Sequence, residues 1–280
     1  MGNGGGGVSE EASGTGVVFH GGDGCPLRAR VSGTGPPVVL LHGGGPDHRS
    51  LLPLAARLSS AYTVVLPDVR GFGRSLCAHE ERHTWSGYAA DVVALLDRLG
   101  LERAVVGGTG LGGTVALRTA VEHPERVRAV VVVSVEDIED DAAKEAERVF
   151  FERFAERVRA GGVAAGWAPV LPDLAPLIGH LVREAIPRAD PASVAAFCAI
   201  GRDRAFREVS DLAVVGVPAL IVPGTDVRHP TELAERVAAV LPRGRLAPVT
   251  LSHELLTAED LGAAMGPVVA EFLAGLDGTR

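Results

Sequence analysis

The sequence predicts an α/β protein built on a doubly wound, mostly parallel sheet. From Val17 onwards, short apolar runs alternate with amphipathic stretches, and runs such as 129–133 are apolar throughout. Parallel strands are covered by helices on both faces, so their sequences are continuously apolar. A chain of 280 residues, 46% of them hydrophobic, is also long enough to bury the core of such a fold.

The elements follow one another in a regular order, with short crossovers of the right-handed kind. The helix predicted at 88–99 has its apolar residues on one face, and Gly100 ends it. The predicted strands are 38–41, 62–66, 104–106, 129–133, 218–222 and 246–250. The other predicted helices are 51–58, 114–122 and a last helix through Val268, Val269 and Phe272.

Residues 137–208 depart from this alternation, because their pattern is helical, without strands, and interrupted by Gly and Pro. We interpret them as a helical cap over the carboxyl ends of the strands, where such sheets place their sites. The core would then comprise residues 17–136 and 209–280. Residues 1–16 are Gly-rich and polar, which predicts a disordered tail. Six aromatic residues are interpreted mostly as core at helical spacing: Phe150, Phe151, Phe154, Trp167, Phe197 and Phe206.

Composition excludes several classes of function. The net charge is −8 at pH 7 without a basic block, so neither nucleic acid nor a membrane surface is an expected partner. With no basic and apolar leader and no apolar run near ~18 residues, the sequence predicts a cytoplasmic protein. Three widely spaced cysteines and the absence of a nucleotide motif predict no disulfide framework, no metal and no cofactor. The expected partner is a small molecule, and the sequence leaves the oligomeric state open.

Four motifs occur in the order and spacing of the α/β-hydrolase family: HGGGP at 42–46, DVRGFGRS at 68–75, GTGLGG at 108–113 and HPERV at 123–127. The chain resembles that family from about Val17 to Leu273. The resemblance implies a nucleophile elbow, a sharp strand-to-helix turn of the form Gly-x-Ser-x-Gly. Its flanking glycines are present as Gly108 and Gly112, but Gly110 stands where the family has Ser.

Without a side chain at Gly110, the usual acyl-enzyme cannot form, and Thr109 would point away from the tip of the turn. The resemblance implies Asp226, after the strand 218–222, as the triad acid. It implies His253, after the last strand, as the base. In this prediction Asp226 orients the imidazole, and His253 takes a proton from water or substrate.

The resemblance also implies an oxyanion hole made by the backbone N–H groups of Gly44 and Leu111, which the loss of Ser leaves intact. His42 is interpreted as supporting its loop rather than as a base. Glu136 lies near the position where some relatives have an alternative acid. The charge run that follows Glu136 is, however, typical of a solvated face.

Three functions remain open from the sequence. The first is an enzyme that uses His253, Asp226 and the oxyanion hole for general-base chemistry of a lyase, cyclase, isomerase, cofactor-free oxygenase or direct-water type. Its substrate would be small, apolar and carbonyl-containing. The second is a non-catalytic protein that binds a small ligand under the cap. The third is an ordinary serine ester or thioester hydrolase whose Ser has been replaced by Gly110.

Overall fold

The computed structural model describes residues 14–277, which contain one eight-stranded sheet. In chain order the strands are β1 (Thr15–His20), β2 (Pro26–Ser32), β3 (Pro37–Leu41), β4 (Thr63–Pro67), β5 (Ala104–Thr109), β6 (Val127–Val133), β7 (Ala219–Val222) and β8 (Gly244–Leu246). Their spatial order is β1-β2-β4-β3-β5-β6-β7-β8. β1 and β2 are antiparallel, as are β2 and β4, whereas all pairs from β4 to β8 are parallel.

Helices cover both faces of the sheet. They are α1 (Leu52–Leu58), α2 (Trp85–Leu99), α3 (Leu111–Glu122), α4 (Asp141–Trp167), α5 (Pro176–Ala185), α6 (Pro191–Phe197), α7 (Thr231–Val240) and α8 (Ala258–Asp277). Alternate residues of a strand point to opposite faces, so Val130 and Val132 pack with α2, α3 and α7, while Val131 and Val133 pack with α1 and α8. No helix within residues 14–277 is long and apolar enough to cross a membrane.

The predicted doubly wound, mostly parallel sheet is confirmed, with differences at its two ends. The antiparallel strands β1 and β2 were not predicted, and β1 begins inside the predicted tail; residues 1–13 of that tail lie outside the described residues. The last strand ends at Leu246 instead of continuing to position 250. Pro248 follows two residues later, and it lacks the N–H that a regular ladder needs.

The chain between β6 and β7 is helical, as the sequence predicts, and contains α4, α5 and α6. Residues of α4 and α6 form an apolar cluster of their own around Phe154 and Val158. A single bridge between Ile138 and Phe206 brings the two ends of the segment together. The assignment of 137–208 as a cap separate from a core of 17–136 and 209–280 stays a prediction.

The approach of α3 to β3 depends on a glycine. A Cβ built on Gly112 would lie 2.2 Å from the carbonyl oxygen of Leu41. We therefore expect Gly112→Ala to lower the free energy of unfolding by about 1–3 kcal/mol, as overpacking does, measured by urea denaturation. Gly275→Ala is the matched control, because a Cβ there meets no atom within 4 Å and alanine favours a helix. An equal loss in both variants would contradict the prediction.

Candidate functional site

A cavity of about 150 Å³ lies at the carboxyl ends of β3, β5 and β6, beneath α4, α5 and α6. Seven of the chain's 12 aromatic side chains line it: Phe72, Trp85, Phe150, Phe151, Phe154, Trp167 and Phe197. The interpretation of the aromatic residues as core is therefore incomplete, since five of the six that it covers also form the cavity wall; only Phe206 does not. This wall would hold a compact apolar molecule.

The turn from β5 to α3 forms the floor of the cavity at Gly110. The φ and ψ of this residue are 48° and −119°, a conformation that residues with a side chain rarely adopt. The Gly110 N–H donates to the carbonyl oxygen of Val133 at 2.9 Å, which fixes the turn against β6. A Cβ built on Gly110 would lie 2.7 Å from Oε1 of Glu136. The Glu136 carboxylate therefore crowds the space that the Cβ of any other residue at position 110 would need.

Glu136 is the first member of a carboxylate–imidazole–carboxylate chain. The Nε2–H of His229 donates to Oε2 of Glu136 at 3.2 Å. On the opposite side of the ring, Nδ1–H donates to Asp226, with 2.9 Å and 3.0 Å to its two carboxylate oxygens. Asp226 also accepts from the backbone N–H groups of Arg228 and His229. This local turn places the His229 ring between the two acids.

In this row of three side chains, each charge stabilises the charged form of its neighbour and shifts the neighbour's pKa. Burial alone would lower the pKa of His229, but the bonds to Asp226 and Glu136 outweigh it and raise the pKa to about 10. Burial would raise the pKa of both acids, yet the hydrogen bond and charge of His229 bring each below its ordinary value. At neutral pH, His229 is thus a cation between two carboxylates, and it is not a base.

The pH dependence of stability follows from these charges. The folded pKa of His229, about 10, exceeds the unfolded value of about 6.5. Its stabilising contribution is complete below about pH 6.5 and is lost as the pH rises through about 10. We expect the Tm of the chain to fall more steeply over this range than that of His229→Gln, measured by calorimetry. Parallel Tm curves would refute the assignment of a cation at His229.

The predicted pair of His253 and Asp226 is not formed, which corrects the sequence-based assignment. His253 lies in a turn in which the N–H of Leu255 donates to the carbonyl of Ser252, and its side chain is exposed. The cause is the early end of β8: the chain rejoins the sheet only at a single bridge between Gly224 and Leu251. Leu251 faces the cavity, and the turn after it carries His253 outwards.

The other predicted site residues lie around the cavity or support it. Gly44 and Leu111 both line it. Leu111 is the first residue of α3, so its N–H has no acceptor inside the helix, and the Gly44 N–H donates to no atom of residues 14–277. Thr109 also lines the cavity. His42 is fully buried; Nδ1 bonds to the carbonyl of Gly43, and Nε2 accepts from the N–H of Val69. These two bonds fit the predicted support of the loop.

Several groups of the site escaped the sequence analysis. His229 follows Asp226 by three residues, and this spacing was the sequence signal for their contact. The Asp226 carboxylate forms a turn by accepting from the backbone N–H of His229, and the turn brings the two side chains together. Asp137 lines the cavity directly after Glu136. The wall also contains Ser134, whose φ is 62° and whose buried hydroxyl has no hydrogen-bond partner within the described part of the chain. No sequence pattern distinguishes these two residues from their polar neighbours.

One group among residues 14–277 has the spacing of metal ligands: Asp47, His48 and Asp68 have ligand atoms within 4.8 Å of one another. His48 Nδ1 bonds to Asp68 at 2.7 Å, and Asp47 forms ion pairs with two arginines, Arg49 and Arg188. The donor atoms that a metal would use are thus engaged in ion pairs. We interpret the group as a structural support for the loop after β4.

Comparisons with known proteins agree with this architecture. A family model described as alpha/beta hydrolase fold matches residues 36–168. A 2-hydroxymuconate semialdehyde hydrolase of Pseudomonas sp. (strain CF600) is 37% identical over 111 residues, 36% of this chain and 37% of that protein. The match thus spans little more than a third of the length of this curated relative.

Solved structures match over nearly the whole chain. A thermophilic esterase from Thermogutta terrifontis superposes with a TM-score of 0.78 at 26% identity, covering 94% of this chain and 99% of that chain. A hydrolase from Pseudomonas aeruginosa PA01 superposes with a TM-score of 0.76 at 23% identity, covering 92% and 97%. Together with the sheet order and the helices on both faces, these similarities identify the fold: the chain has the α/β-hydrolase fold.

Proposed function

We propose that the chain is an enzyme of the α/β-hydrolase family that performs general-base chemistry on a small carbonyl compound, with Glu136 as the base. The observation that carries this proposal is the 2.7 Å between Oε1 of Glu136 and a Cβ built on Gly110. In the family, position 110 is where the nucleophile stands. Here a carboxylate from the loop after β6 occupies the space beside it.

His229 and Asp226 act as positioning residues in this mechanism. Because His229 is a cation bonded at both ring nitrogens, it holds Glu136 ionised and fixes its orientation. It thereby replaces the predicted His253 in the pair with Asp226. A carboxylate with a lowered pKa is a modest base, so the substrate must be acidified by the site as well.

Two backbone N–H groups can make the substrate more acidic. The N–H groups of Gly44 and Leu111 line the cavity that Glu136 lines, and neither has an acceptor within residues 14–277. Such donors stabilise a developing oxyanion by ~2.7–4 kcal/mol each. A carbonyl oxygen bound to them acidifies the adjacent C–H, and Glu136 takes that proton or the proton of an attacking water.

The cavity supports a substrate with a ring or a compact apolar group. Its aromatic wall and its volume of about 150 Å³ suit a single ring, since a cavity of ~150 Å³ holds benzene in another protein. We therefore propose small aryl ketones and aryl esters as the substrate class. Two curated relatives are named as hydrolases of carbonyl compounds, 2-hydroxymuconate semialdehyde and 2-hydroxy-6-oxo-6-phenylhexa-2,4-dienoate, which supports a carbonyl substrate.

A direct test uses two probes. If Glu136 removes a C–H proton, incubation of the chain with acetophenone in D₂O should incorporate deuterium into the methyl group. NMR measures this incorporation. Incubation with phenyl acetate should release phenol if it activates water. Activity with neither probe above the protein-free rate would overturn the proposal.

The serine-hydrolase alternative has a separate test. A side chain at Gly110 would require Glu136 to move, because 2.7 Å is too short for a Cβ contact. We therefore expect Gly110→Ser to hydrolyse phenyl acetate no faster than the unmodified chain. A large gain in this variant would favour an ancestral serine site with its nucleophile removed.

A binding role is the second candidate, and the lowered pKa of Glu136 favours it, since a carboxylate bonded to the His229 cation accepts a proton only weakly. In that case acetophenone and related ring compounds would raise the Tm by mass action without being turned over. Thermal shift together with the absence of exchange is the result that distinguishes binding from catalysis.

A further inference from the structure

Asp137 stands directly after Glu136 and lines the same cavity. Its Oδ2 accepts a hydrogen bond of 2.7 Å from the hydroxyl of Thr114, on α3. Its Oδ1 bonds to no other group in residues 14–277. The φ of Asp137 is 61°, a left-handed conformation that Asp and Asn tolerate better than most residues.

Carboxyl groups surround Asp137. Glu136 precedes it, and Glu139 and Glu147 lie within electrostatic range. The single lysine of the chain, Lys144, forms its ion pairs with Glu139 and Glu147, at 3.4 Å for Glu139, and not with Asp137. Burial, followed by the charges of Glu136 and Glu147, raises the pKa of Asp137 well above its ordinary value. Two cations also line the cavity, His229 and Arg228, and His229 is bonded to Glu136.

We propose that Asp137 is a neutral carboxylic acid and the proton donor of the site, the partner of the base Glu136. This inference rests on the proposed function. Because the Thr114 hydroxyl engages Oδ2, the acidic proton belongs on Oδ1, the oxygen without a partner. The site then contains one ionised and one protonated carboxyl group, the division of roles that acid–base catalysis needs.

The step balances without a co-reactant. The Glu136 carboxylate removes a proton from the carbon next to the substrate carbonyl, the C–H electron pair forms the C=C bond, and the carbonyl oxygen takes the proton of Asp137. The product is a neutral enol, with Glu136 protonated and Asp137 ionised. Return of both protons regenerates the site, and return at a different carbon isomerises the substrate. The inference therefore narrows the chemistry to keto–enol interconversion.

Infrared spectroscopy tests the protonation state without a substrate. The C=O stretch of protonated carboxyl groups at pH 7 should lose intensity in Asp137→Asn and keep it in Glu136→Gln; the band that remains in Asp137→Asn comes from Glu147, whose pKa burial raises to about 7. Asn is the chosen replacement because it is neutral, of equal size and tolerant of the positive φ. A difference spectrum without this band would overturn the proposal.

The exchange assay with acetophenone tests the catalytic role. Asp137→Asn should lower the rate of deuterium incorporation by ~10²-fold, the lower end of what a general acid contributes. The exchange rate of the unmodified chain should fall at alkaline pH as Asp137 ionises, and Asp137→Asn should lack this alkaline limb. Thr114→Val removes a hydrogen bond that lowers the pKa of Asp137 and should move the limb to higher pH.

The outcomes separate the two proposals. If the unmodified chain exchanges, Glu136→Gln does not and Asp137→Asn equals the unmodified chain, the role of Asp137 is wrong and the base stands. If the alkaline limb stays in place in both Asp137→Asn and Thr114→Val, the role of Asp137 is equally refuted. If the unmodified chain neither exchanges deuterium nor hydrolyses phenyl acetate, the proposed function fails, and the acid role that rests on it fails too. If it hydrolyses phenyl acetate but exchanges no deuterium, the proposed function stands through water activation, and the role of Asp137 in keto–enol interconversion is refuted.

Discussion

Replacement of Glu136 by Gln is expected to reduce deuterium exchange into acetophenone by about 10²–10⁴-fold, the range of general-base contributions. Gln has the shape of Glu, and its amide oxygen can still accept from Nε2–H of His229, so the site keeps its geometry. It cannot, however, accept a proton from carbon. The measurement is the rate of methyl deuteration by NMR at pH 7, with circular dichroism to verify folding.

The matched control is Glu152→Gln, the same substitution at a partly exposed residue of α4 whose partner is the surface residue Arg148. Surface ion pairs contribute little, so this variant should exchange deuterium at the unmodified rate. Equal rates in the Glu136 and Glu152 variants would exclude Glu136 as the base.

Most of the fold could be predicted because its signals are local and repeated. The strand β6 is predicted by five consecutive apolar residues, and α2 by its apolar face and the glycine that follows it. The antiparallel strand β2, which lies between β1 and β4, escaped because Arg28 and Arg30 interrupt the continuous apolar run by which the parallel strands were predicted. The early end of β8 depends on Pro248. This proline lies within the apolar pattern at 246–250, which was interpreted as a strand.

The backbone around the cavity could be located from the sequence, the role of Gly44 and Leu111 as an oxyanion hole stays a prediction, and the histidine assigned to Asp226 was wrong. Gly44 and Leu111 follow from the two glycine-rich loops, and both line the cavity. To predict which histidine pairs with Asp226, one must know whether the chain after β8 or the loop after β7 supplies the imidazole. Both contain a histidine, and only tertiary structure decides between them. Glu136 was underrated because the acidic residues after it suggested a solvated face, whereas it is bonded to His229.

The second large effect on the exchange rate is expected from replacing His229, in contrast to replacing His253. His229→Gln should abolish most of the exchange at neutral pH, whereas His253→Ala should leave it unchanged, because the His253 side chain is exposed. Loss of the His229 cation removes the group that lowers the pKa of Glu136. Burial then outweighs the remaining charges, so the pKa of Glu136 rises and a larger fraction of its carboxyl group is protonated.

A pH profile separates this electrostatic role from a merely structural one. For the unmodified chain the exchange rate should show no acid limb above the ordinary range of Glu, since the pKa of Glu136 lies below its usual value, and it should fall only at alkaline pH, where Asp137 ionises. In His229→Gln the acid limb should move towards neutral pH, and exchange should recover as the pH is raised and Glu136 ionises. A uniform loss at every pH would indicate a structural role for His229. Loss of exchange in His253→Ala with full exchange in His229→Gln would restore His253 as the partner of Asp226, and it would require the turn after Leu251 to fold inwards in solution.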